Sequence, residues 1–68
     1  MDQEVLNLGI RRFLKEFGVT AQREIENAVQ AALQSGKLEG TSVVHARARL
    51  EIPSLGTFFD IERDLPIE

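Results

Sequence analysis

The sequence predicts an α+β domain of ααββ order, with two N-terminal helices packed on one face of a C-terminal two-stranded antiparallel hairpin. Three observations lead there. Apolar residues recur at helical spacing through the first half, the period changes to two after Gly40, and one turn bounded by proline and glycine divides the rest into two alternating runs. A chain of 68 residues suffices for a single domain, residues 1–68, and one modest core.

The first helix spans about residues 2–17, because Leu6, Ile10, Phe13, Leu14 and Phe17 share one face while Asn7, Arg11, Arg12, Lys15 and Glu16 occupy the others. Gly18 stands where a left-handed residue ends a helix, and Val19 behind it is placed to fold back on Leu14. Thr20 then caps a second helix, about residues 20–35, with Glu24 and Glu26 near the positive end of its dipole. Its stripe is Ala21, Ile25, Ala28, Val29, Ala32 and Leu33, and Gly36 stops it. So short a junction makes the helices neighbours, as an antiparallel pair or a helix-turn-helix.

The strands follow at about residues 42–52 and 57–67, with the turn at Pro53, Ser54, Leu55 and Gly56. A four-residue loop sets Leu50 opposite Phe59, Ala48 opposite Ile61 and Val44 opposite Leu65, so the apolar faces coincide. The same register matches Arg49 with Asp60, Arg47 with Glu62 and His45 with Asp64. A one-residue slip sets each apolar set against the other strand's charges, and a two-residue loop asks Pro53 and Pro66 for ladder donors they lack. The expected core joins Phe13, Phe17, Ile25, Val29, Leu33, Leu50, Phe59 and Ile61.

Chemistry is sparsely represented. With one histidine and no cysteine, a zinc site or an activated nucleophile has almost nothing to be built from, and neither catalytic, metal nor cofactor-binding residues are expected. His45 reads as the surface partner of Asp64, and Asp60, Glu62 and Asp64 read as one side of a solvated charge ladder. Gly36 and Gly40 lack the spacing and the Lys-Ser/Thr pair of a phosphate loop. Arg63 falls on the apolar face, where it is expected to reach a carboxylate such as Glu24 or Glu26, or else to contact an anion or partner. Phe58 falls on the charged face beside the turn, a pointer to a contact surface.

The lack of cysteine fits a reducing compartment, so the chain is expected to be cytoplasmic, and its apolar runs are too short for a membrane span. A net charge of −3 argues against nucleic acid, although two helices before a hairpin suggest a weak binder of winged-helix type as the alternative role. The leading expectation is a non-enzymatic module that binds an unidentified protein, with His45, Arg47, Arg49, Phe58 and Arg63 as its candidate partner-binding residues. The first strand's outer edge, Val43 to Glu51, is the expected receiver of an added strand, preferably an acidic one. A homodimer is compatible with so small a core, but pairing this edge with itself is disfavoured, because it sets Arg47 against Arg47 and His45 against Arg49.

Leu6, Asn7, Ile10, Arg11, Phe13, Leu14 and Lys15, followed by Gly18, Val19, Thr20, Gln22, Arg23, Glu24, Ile25 and Glu26, form a helical half that resembles a family of short bacterial proteins of unknown function. The resemblance implies a bacterial source and a free-standing domain, and it brings no activity, ligand or catalytic residue with it.

Overall fold

The computed structural model describes residues 1–68 as two units, Met1–Lys37 and Leu38–Glu68. The first is one helix and not the expected two: α1 runs without interruption over Gln3–Gln34. Asp2 caps it, its Oδ1 accepting from the Glu4 and Val5 amides at 2.9 and 3.2 Å. The expected break at Gly18 does not occur, since positive φ among the glycines is confined to Gly36, Gly40 and Gly56. Continuing the helix lets the backbone satisfy the orphan amides and carbonyls that two helix ends create, whereas a Thr20 cap satisfies only part of them. No proline forbids continuation, and Gly18 in a helix interior costs only about 1 kcal/mol relative to alanine.

The true stop is Gly36, as expected. At φ 80° it turns the chain so that the Lys37 amide donates to the Ala32 carbonyl at 3.0 Å and the Gly36 amide to Leu33 at 3.4 Å, the paired bonds of a Schellman end. Merging the segments also joins their apolar stripes. Leu6, Ile10, Phe13, Leu14 and Phe17 are followed fifteen residues later by Ala21, Ile25, Ala28, Val29 and Ala32, with Phe17 and Ala21 one turn apart. No helix is long and apolar enough to cross a membrane.

The second unit is an antiparallel hairpin of β1 (Val43–Ile52) and β2 (Thr57–Pro66), joined by a 3₁₀ turn over Pro53–Leu55 and closed by Gly56 at φ 65°. Its register is the expected one throughout, from Val43 opposite Pro66 to Ile52 opposite Thr57. The Ile67 amide donates to the Ser42 carbonyl at 3.0 Å, which identifies that pair as hydrogen-bonded. By alternation along the ladder, Val43, His45, Arg47, Arg49 and Glu51 direct their amides and carbonyls outward. Pro66 sits at an outward position too, where its missing amide costs no ladder bond.

Taken by itself, neither unit encloses a side chain. Phe13 is 56% exposed, Phe59 53% and Ile61 52%, while Val29 and Leu50 are half-buried. A lone helix or a two-stranded hairpin gives each side chain neighbours on one side only, so its apolar face stays in water.

Continuity at Gly18 has a measurable consequence. A methyl group at Gly18 meets nothing within 4 Å, so Gly18→Ala is expected to raise helix stability by about 0.5–1 kcal/mol and deepen the 222 nm circular dichroism signal. Had Gly18 been a left-handed stop, the same change would lower both.

Candidate interaction surface of the hairpin

Alternation along β1 and β2 places His45, Arg47, Arg49 and Glu51 on the same face as Phe58, Asp60, Glu62 and Asp64. Arg49 binds Asp60 with two parallel bonds, Nε to Oδ1 at 2.8 Å and Nη2 to Oδ2 at 3.1 Å. Hydrogen bonding to Arg49 holds the Asp60 carboxyl below its ordinary range, and the same bonds raise the Arg49 guanidinium. Arg49 also lies 3.9 Å from Glu51 and covers the Phe58 ring, its guanidinium carbon 4.5 Å from the centroid. Phe58 thus stays 59% exposed but presents one face to a cation of its own chain.

Arg47 Nη2 donates to Glu62 Oε1 at 3.3 Å, and that oxygen also receives His45 Nε2 at 2.8 Å. His45 Nδ1 lies 2.9 Å from Asp64 Oδ1, so the imidazole bridges two carboxylates. Both ring nitrogens donate only in the imidazolium, so its pKa is raised, chiefly by the hydrogen bond to Asp64 and next by that to Glu62. His45, Glu62 and Asp64 do not form a metal-holding group.

Four of the five candidate residues therefore share one surface, and the fifth does not. Arg63 lies opposite Ala46 on the apolar face, where its Nη1 donates to the Glu62 carbonyl at 3.0 Å and pairs with no carboxylate of the hairpin. The expected acidic partner strand also loses its rationale. Asp60, Glu62, Asp64 and Glu51 already match His45, Arg47 and Arg49, leaving no unanswered positive charge on this face. Sequence reasoning matched His45 with Asp64 but missed Glu62, two residues along β2. The available signal was that long side chains reach diagonal as well as direct cross-strand neighbours.

Residues 1–68 match the model of one family, described as a family of unknown function. No curated protein and no solved structure matches the chain.

The bridged imidazole makes the hairpin sensitive to pH. A raised folded-state pKa means that the stabilisation from protonated His45 is fully present below about 6.5 and is lost as pH rises through the folded value. NMR titration of the ring protons is expected to give a midpoint above 6.5 at low salt that moves back towards it near 1 M salt. In Glu62→Gln/Asp64→Asn the upward shift should vanish.

Proposed function

The chain belongs to DUF6494, a family of unknown function, and we propose that it is a small non-enzymatic module that receives an extended segment of another protein along the outer edge of β1. The observation that carries this reading is the asymmetry of the hairpin's two edges. β1 directs outward the amides of Val43, His45, Arg47, Arg49 and Glu51, while β2 is interrupted by Pro66. A two-stranded sheet with an open edge gains main-chain hydrogen bonds from a third strand, and the added strand extends the apolar face of Val44, Ala46, Leu50 and Leu65. Main-chain bonds then supply the affinity, and apolar side chains at alternate positions of the incoming strand supply the selectivity.

Several features support this role over the others. The single histidine and the absence of cysteine leave little for acid–base or nucleophilic chemistry. A winged-helix role needs a recognition helix set against a first helix, and here both segments belong to α1. The lack of cysteine fits a cytoplasmic setting.

Arg47→Pro tests the edge, because it deletes one outward amide and no ladder donor. Arg47→Ala is the control for the lost bond to Glu62. Tagged wild-type and variant chains, each checked by circular dichroism, are used to capture partners from cell lysate. A partner retained by Arg47→Ala and reduced at least tenfold with Arg47→Pro is the expected result. Equal capture by all three chains rules out the β1 edge.

A further inference from the structure

We propose that α1 also pairs with α1 of a second copy of this chain, antiparallel, about a two-fold axis level with Val19. This surface belongs to the helical unit and the strand edge to the other unit, so either reading can fail without the other. A helix of 32 residues is about 48 Å long, and most of its apolar stripe is exposed, Leu6, Ile10, Phe13, Leu14, Phe17 and Ile25 among it, with Ala21, Val29 and Ala32 half-buried. Helices of this kind owe most of their stability in water to packing of the apolar face, so α1 needs a second surface.

The identity of that surface follows from how the stripe is graded. Its first half is bulky, with Leu6, Ile10, Phe13, Leu14 and Phe17, while its second half is mostly small, with Ala21, Ala28 and Ala32 around Ile25 and Val29. An antiparallel copy centred on Val19 sets each residue at the level of the one whose number completes 38. Leu6 then meets Ala32, Ile10 meets Ala28, Phe13 meets Ile25 and Phe17 meets Ala21. Each of these four layers combines a larger with a smaller side chain, as does Val29 level with Gly9, while Leu14 falls level with Glu24 at the edge of the stripe; the helices can then approach evenly along most of their length. A parallel copy in register sets Phe13 on Phe13 and Phe17 on Phe17 at one end and alanine on alanine at the other, crowded and then hollow. The isologous arrangement also closes on itself, so it makes a dimer and not a filament.

Charge selects the same orientation. Arg11, Arg12 and Lys15 lie in the first half of α1 and Glu24 and Glu26 in the second. Antiparallel pairing brings the basic segment alongside the acidic one, with Arg12 level with Glu26 and Lys15 one residue from the level of Glu24. The one like-charge match is Lys15 with Arg23, and Glu16 and Glu24 are the immediate neighbours of those two. Parallel pairing instead sets all three cations beside their own copies. Such solvent-exposed charges add little affinity, but they penalise the wrong orientation.

Sedimentation equilibrium of the full chain should give twice 7.6 kDa at micromolar concentration. Because there is no native cysteine, a nitroxide on Asn7→Cys reports orientation directly. Antiparallel pairing separates the two labels by about 36 Å along the axis, the rise of twenty-four residues, whereas parallel pairing leaves them roughly one helix diameter apart. Ala28→Glu, a good helix former that inserts a charge opposite Ile10, should weaken the dimer at least tenfold while a matched Gln30→Glu off the stripe does not. A monomer at all concentrations, a short label distance, or an unchanged dimer in Ala28→Glu overturns the proposal. So does a chain that stays monomeric and binds lipid vesicles instead.

Discussion

An apolar side chain leaves water only when something covers it from more than one direction, and neither secondary structure in this protein supplies that cover alone. α1 has a stripe from Leu6 to Ala32, and the hairpin has an apolar face running through Leu50, Phe59 and Ile61, yet every one of these residues keeps contact with solvent. Within each unit the local bonds are the hydrogen bonds of one helix or the ladder of one hairpin, with the caps and turns at their ends. Such elements are marginal by themselves in water. Each unit thus presents an apolar face that a further surface can cover.

The two surfaces differ in physical character. On the hairpin the outward groups of β1 are backbone amides and carbonyls, which recognise any extended segment and discriminate only through side-chain alternation. The charged face beside that edge is internally balanced by the Arg49–Asp60 pair and the chain running from Asp64 through His45 and Glu62 to Arg47. Such exposed pairs contribute little to stability individually, but like charges across the strands would oppose any other pairing. Their work is to hold the register and keep the face soluble. On α1 the relevant property is shape, a bulky half and a small half whose complement is the same helix reversed.

His45 links these properties to solution conditions. Flanked by Asp64 and Glu62, it binds a proton more readily in the folded hairpin than in an unfolded chain, so its own contribution is present on the acidic side and is lost as pH rises through the raised value. Asp60 acts in the opposite sense. Its carboxyl is depressed mainly by the bond to Arg49, and that contribution is present above the ordinary carboxylate range and lost as pH falls through the depressed value.

The sequence by itself determined everything that rests on local alternation. The strand boundaries, the Pro53 to Gly56 turn, the pairing of Arg49 with Asp60 and the stop at Gly36 were all legible, because a slip by one residue inverts every side chain and because prolines and a left-handed glycine each exclude alternatives by sterics. Two features were decided only by the tertiary structure. One is the continuity of α1 through Gly18: glycine permits both the left-handed stop and the helix, the local signals on either side are worth about 1 kcal/mol each, and the balance turns on which termini must otherwise be satisfied. The other is the arrangement of long side chains on the hairpin, where Arg49 lies over Phe58 and His45 reaches Glu62 as well as Asp64. Spacing says which residues share a face, but rotamers and mutual reach decide which of them touch.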